Sequence, residues 1–354
     1  MENFKIALLG KTLYEIQQIT ENLGMPKFAA KQIAAWLYEK KVGSIDDMTN
    51  LSQKHRQALK ESYEVGASAP VEAMRSVDGT VKYLFRTATG DYVEAVYIPD
   101  NDRATLCVSS QVGCKMNCKF CMTGRQGFHG HLSAADIISQ FIATDESDRL
   151  TNAVFMGMGE PLDNYDNVLR FLELINSPDG MNIGMRHISL STCGLVDRIV
   201  QLAHEKLQIT LSVSLHAPSD EIRNTIMPVN RKYNVDRLIE ACREYYRITG
   251  RRISFEYAMI RDVNDSAQTA ELLCSKLRGL PAHVNLIPLN NVEESPLKPS
   301  QRKNVLEFQR ILEQHGITAT VRRTLGGDID ASCGQLRRKH ETQKDGETSC
   351  KHGV

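Results

Sequence analysis

Three cysteines spaced Cys114-x3-Cys118-x2-Cys121 stand in a loop that directly follows an apolar, strand-like run. Thiolates are soft ligands that select iron-sulfur clusters, zinc or cuprous copper. A cubane [4Fe-4S] cluster has four irons to ligate. Three cysteines leave one iron open, able to chelate S-adenosylmethionine (SAM) and pass it an electron, which is the entry to radical chemistry. The competing reading is structural zinc, which needs a fourth ligand in closed tetrahedral geometry. Cys107, His129 and His131 are the nearby candidates, and none stands in the paired C-x2-C arrangement of zinc ribbons.

Such chemistry needs a frame, and the hydrophobic pattern supplies one. Strand-like runs at 105–112, 153–158, 188–192, 209–215, 253–260 and 284–289 alternate with helical stretches at 133–144, 165–176, 196–205, 235–249, 266–278 and 300–315. Six strands alternating with helices predict an α/β fold with a parallel core, a partial (β/α)6 barrel. Barrels place their active sites at the C-terminal ends of the strands. The informative residues fall there: the cysteines after strand one, Gly157 to Pro161 after strand two and Ser191 to Gly194 after strand three. Ser214, Leu215 and His216 follow strand four, and Asn290 with Asn291 follows strand six.

Upstream, residues from about 12 to 63 carry apolar positions at helical spacing, broken at Gly24-Met25-Pro26 and Val42-Gly43-Ser44, and predict a small helical accessory domain over residues 1–75. Residues 76–103 read as a hairpin linker with strands at 81–86 and 92–98, the barrel proper as 104–336, and the polar tail 337–354 as disordered. Glu94, in the second hairpin strand, reads by default as the polar face of an edge strand.

Several residues have plain structural readings beside functional ones. Glycine after a strand often marks only a tight turn, yet Gly157 to Glu160 could bring backbone close to SAM. Ser191 and Ser214 commonly satisfy local backbone groups, and His216 is more often structural than catalytic. Phe120 could pack or stack on an adenine. Cys193, Cys242 and Cys274 read as inert, whereas Cys333 lies in a glycine-flanked loop, where function concentrates. Arg322-Arg323 and Arg337-Arg338-Lys339 bracket Cys333, so a phosphate-backbone contact is plausible.

Composition excludes other classes. Hydrophobic content of 42% and charged content of 24% are those of a soluble globular protein. The net charge of +0 offers no global attraction for nucleic acid. No run approaches the roughly 18 apolar residues of a membrane span, and no secretion signal is visible. A cytoplasmic, monomeric protein is expected, its nine cysteines serving as ligands, reactive thiols or small core groups.

Taken together, Cys114-x3-Cys118-x2-Cys121, Gly157-Met158-Gly159-Glu160-Pro161, Ser214-Leu215-His216, Met227-Pro228-Val229-Asn230 and the run from Asp328 to Gln335 resemble the radical-SAM RNA adenine methyltransferases, the RlmN and Cfr family. Gly124 to Phe128 and Ile287 to Asn290 are similar to the RlmN branch. That resemblance implies methylation at adenine C2, with Cfr-type C8 methylation as the alternative. The implied substrates are an adenosine in the peptidyl-transferase centre of 23S rRNA and the adenosine 3′ of some tRNA anticodons. It implies a [4Fe-4S] cluster on Cys114, Cys118 and Cys121, and two SAM molecules per turnover. Implied SAM contacts are Gly159, Glu160, Ser191, Ser214, Leu215, His216 and Asn290. Cys333 would carry the methyl group, Cys107 would resolve it, and Glu94 would accept a proton, a role for which Cys107 competes. An external flavodoxin or ferredoxin system would supply electrons. A radical-SAM enzyme with a non-RNA substrate and a zinc-stabilised RNA-binding protein are the rivals.

Overall fold

The computed structural model describes residues 5–289, 296–323 and 325–329; Asn290, Cys333 and the basic run at 337–339 lie outside them. At the N-terminus, β1 (Ile6–Ala7), α1 (Leu13–Asn22), α2 (Ala29–Ala34), α3 (Gln53–Ser62) and β2 (Tyr63–Glu64) form a small module closed by parallel pairing of β1 with β2. Thr12 and Glu15 make a capping box at the start of α1. Ile16, Ile33, Leu37 and Leu59 close its core.

Next come β3 (Pro70–Arg75), β4 (Val81–Arg86), β5 (Tyr92–Asp100) and β6 (Arg103–Cys107), an antiparallel meander. The chain then leaves the sheet for a ribbon of β7 (Gln111–Gly113) and β8 (Phe128–His131), which brackets the three cysteines and α4 (Met122–Arg125). Beyond it strands and helices alternate: α5 (Ala134–Ile142), β9 (Asn152–Phe155), α6 (Tyr165–Asn176), β10 (Ile188–Thr192), α7 (Val196–His204) and β11 (Thr210–Ser214). After α8 (Asp220–Ile226) and α9 (Val235–Thr249) come β12 (Ile253–Met259), α10 (Ala267–Leu277), β13 (Ala282–Pro288), α11 (Arg302–Gln314) and β14 (Thr318–Val321).

One sheet of ten strands results, in the order β14-β13-β12-β11-β10-β9-β6-β5-β4-β3, parallel from β6 through β14. It is the α/β partial barrel that the strand and helix alternation predicts. The hairpin strands extend the same sheet, and β3 adds an edge that the sequence did not signal.

Register sorts the side chains, because residues directly opposed across a ladder share a face. One face carries Leu106, Ala153, Leu190, Leu211, Phe255, Leu286 and Ala319, all buried against the helices. Burying each of the large ones contributes roughly 1.5–3 kcal/mol. The other face carries Cys107, Ser189, Ser191, Ser212, Ser214, Glu256, Asn285 and Thr320. An inner face this polar suits a barrel that holds a ligand better than one packed solid.

Glu94 needs a correction. Its strand β5 lies between β4 and β6, so it is no edge. Glu94 is 2% exposed, and its carboxylate meets Lys82 Nζ at 3.0 Å. The polar face on which it sits turns inward, which alternation along a single strand cannot reveal.

Candidate active site

Loops at the C-terminal ends of the parallel strands enclose a cavity of about 230 Å³. Cys114, Cys118 and Cys121 line it, with Gly157, Gly159 and Glu160 after β9, Ser191 on β10, and Ser214 and His216 at the end of β11. Residues scattered over about a hundred positions thus converge because parallel strands all end on one side. Leu215 is buried behind this lining, and Cys107 and Glu94 lie farther along the polar face on β6 and β5.

The cysteine loop is pinned at several points. Cys114 N–H donates to Gly127 O (2.8 Å) and Lys119 N–H to Ile226 O (2.9 Å). Lys115 Nζ meets Asp163 Oδ2 at 2.9 Å. Burial pushes the Cys114 thiol up to about 12, helped by the charges of Glu160 and Cys121, and pushes Cys118 higher still. Thiols held protonated in this way, Cys118 buried and Cys114 half-buried, fit a metal-sulfur centre, since metal binding displaces their protons. Among the described residues no three His, Cys, Asp or Glu form a ready single-ion site. The alternative zinc ligands are engaged elsewhere: His129 faces Asp91, and His131 faces Gln111 and Asp163.

Gly157 and Gly159 are required by close approach. A Cβ on Gly157 would meet Val108 O at 2.6 Å, and one on Gly159, at φ +102°, would meet Gln111 Cβ at 2.6 Å. Glu160 then turns inward. Its carboxylate accepts from Leu162 N–H (3.1 Å) and Cys193 N–H (2.6 Å) while burial pushes its pKa up.

His216 occupies the left-handed region at φ +57°. Its Nδ1 accepts from Ala258 N–H (2.9 Å), and burial pushes its pKa down to about 3. The ring is therefore a neutral imidazole with Nε2 as the N–H donor. Phe120, the residue before Cys121, packs edge-on against it with ring centroids 4.6 Å apart.

Sequence reasoning missed two contributors, Arg223 and Glu256. Arg223 is fully buried on α8 and donates to Leu215 O (2.9 Å), Cys193 O (2.7 Å), Ser214 O (3.1 Å) and Asn230 Oδ1 (2.9 Å), stapling the ends of β10 and β11 together. Glu256 and Arg322 line the cavity as well. A glutamate inside the mostly apolar run 253–260 was the available signal for Glu256. Cys193, read as inert, lines the cavity and presents its backbone to both Glu160 and Arg223.

Two family models match the chain: the Radical SAM superfamily over residues 108–273, and the Ribosomal RNA large subunit methyltransferase N-terminal domain over residues 6–65. A protein of Phocaeicola vulgatus named "Probable dual-specificity RNA methyltransferase RlmN" is 51% identical over 98% of this chain and 99% of its own length. A Bacteroides fragilis protein of the same name is 50% identical over 94% of this chain and 96% of its own. The crystal structure of a radical SAM methyltransferase from Sphaerobacter thermophilus superposes with a TM-score of 0.90 at 43% identity, covering 93% of this chain and 98% of that one.

Proposed function

Because the chain belongs to the RlmN family of radical-SAM RNA methyltransferases, we propose that it methylates C2 of an adenosine in the peptidyl-transferase centre of 23S rRNA, and of the adenosine 3′ of the anticodon in some tRNAs. The observation that carries the reading is the single cavity into which the three cysteines, Gly159, Glu160, Ser191, Ser214 and His216 converge.

Cys114, Cys118 and Cys121 would hold a [4Fe-4S] cluster. When bound, that cluster supplies the electron that cleaves SAM to a 5′-deoxyadenosyl radical. Gly157 and Gly159 let backbone approach the ligand, and Glu160 offers a buried carboxylate to its ammonium group. The neutral His216 offers an N–H donor, and Asn290 is a further contact on family grounds.

Adenine C2 lies between two ring nitrogens and is electron-poor, so an electrophilic methyl group does not add to it directly. Cys333 would carry the methyl group as a thioether, taken by displacement from a first SAM. Once the 5′-deoxyadenosyl radical has taken a hydrogen atom from that methyl group and the resulting methylene radical has added to C2, the adduct would return one electron to the cluster and Glu94 would accept the C2 proton. Cys107 then attacks Cys333, forming an S–S bond as the S–CH2 bond breaks, and the methylene picks up a proton to become the methyl group. Renewal needs an external two-electron reductant for the disulfide. A base buried in its stack could not meet Cys333, so the adenosine is taken up splayed out.

Its position supports Glu94 as the acceptor: the carboxylate is buried against Lys82 on the same inner face of the sheet as Cys107. Nucleoside analysis of 23S rRNA and tRNA modified by the enzyme tests the reading. 2-Methyladenosine is expected, and 8-methyladenosine as the product overturns the C2 assignment. Peptide mapping should find S-methylcysteine at Cys333 after SAM exposure.

A further inference from the structure

The ten-stranded sheet is open, with β3 at one end of its order and β14 at the other. Those ends are nevertheless tied. Where β3 turns into β4, Ser76 Oγ donates to Asp328 Oδ1 (2.5 Å) and Val77 N–H donates to Asp328 Oδ2 (3.1 Å). From the other side Gly326 N–H donates to Asp78 Oδ2 (2.7 Å). Arg323, just past β14, pairs with Asp100 at the end of β5 at 3.3 Å.

The turn is built to receive these bonds. Ser76 N–H donates to Thr80 O, Gly79 N–H donates to Ser76 O, and Thr80 N–H donates to Asp78 Oδ1, so the donors and acceptors are fixed before Asp328 arrives. Hydrogen bonds to the ionised carboxylates hold both Asp78 and Asp328 below the usual carboxylate range.

The position of the tie in the chain gives it meaning. Asp328 stands five residues before Cys333, and the preceding sheet anchor, Arg322, whose N–H donates to Leu286 O, stands eleven before it. We propose that Ser76, Asp78 and Asp328 form a latch that positions the Cys333 segment for methyl transfer. The proposal rests on Cys333 being the methyl carrier.

A five-residue tether reaches at most about 18 Å, and an eleven-residue tether about 40 Å. Local concentration falls roughly as the −3/2 power of tether length. Losing the latch therefore dilutes Cys333 at its target about threefold, while the machinery that generates the radical is untouched.

The test uses the full-length protein with Ser76→Ala, Asp328→Asn and the conservative Ser76→Thr. Hydrogen exchange of peptides spanning 324–336 should quicken in the first two, with and without the cluster, and stay at the wild-type rate in Ser76→Thr. In the loaded enzyme, the ratio of 5′-deoxyadenosine formed to adenosine methylated should rise, by up to about threefold if every tie is lost and by less where the Gly326–Asp78 bond remains, with the KM for RNA unchanged. Ser76→Thr should couple as the wild type does. Faster exchange with an unchanged ratio overturns the positioning role, and unchanged exchange overturns the latch itself. If Asp328→Asn fails to fold, the Ser76 pair of variants carries the same decision. Wild-type enzyme that never acquires S-methylcysteine at Cys333 overturns the carrier reading and the positioning role with it.

Discussion

Lys82 and Glu94 meet at 3.0 Å with both side chains shut away from water. They sit diagonally across the β4–β5 ladder, Lys82 opposite Val96 and Glu94 opposite Leu84, so they share the inner face with Cys107, which lies opposite Val96 on β6. Removing one partner of a buried pair strands the other charge, at a cost of about 3–5 kcal/mol. Lys82→Met should lose that much in urea unfolding of the cluster-free protein. Lys82→Met with Glu94→Leu should recover most of the loss. A single variant within about 1 kcal/mol of wild type would contradict the pair's coupling.

Arg223 should be irreplaceable by lysine. It serves Leu215 O, Cys193 O and Ser214 O from one planar group, and an ammonium has no fork to match. Each buried carbonyl left without a donor costs about 1–3 kcal/mol. Arg223→Lys is expected to lower stability by about 2–3 kcal/mol in a denaturant titration, and Arg223→Met by more.

Gly159→Ala should strike the ligand before the fold. Its new Cβ meets Gln111 Cβ at 2.6 Å in a backbone conformation at φ +102°. Holding a side chain there costs about 1–3 kcal/mol, so the chain remains folded while the loop shifts. SAM affinity, read by equilibrium dialysis, should fall at least about tenfold, equivalent to 1.4 kcal/mol. Unchanged affinity would show that this loop does not contact SAM.

Glu256 supplies a pH signature. Burial pushes its carboxyl above the ordinary 4.5, only partly offset by Asn285 and Arg322. A carboxyl raised in the folded state stabilises fully below its unfolded value, and that contribution fades as pH rises through the folded value. Glu256→Gln, which mimics the protonated acid, should therefore gain Tm relative to wild type as pH rises from 4 toward 8. A gap that stays constant or shrinks would reverse the sign.

Much of the frame was legible from periodicity. The helices 165–176 and 235–249 and the strand 188–192 stand where the pattern places them. The run 105–112 reads as one strand but breaks after Cys107. Ser110 and Gln111 donate to Met158 O there, and β7 pairs with β8, so the break is set by partners far along the chain. β3 carries a proline and charged residues without alternation, as an edge strand can. The cysteine loop declared itself by spacing. Arg223 could not, because a lone arginine on a short polar helix looks solvated until the carbonyls around it are known.

The contact between Ser76 and Asp328 joins residues 252 positions apart. Synthesis proceeds at about 5–20 residues per second, so the turn waits at least about 13 seconds for its partner to be made. The N-terminal module and the meander can fold early from local contacts. Joining the two ends of the sheet waits until residue 328 has been made, and a nascent chain remains open at that seam until then.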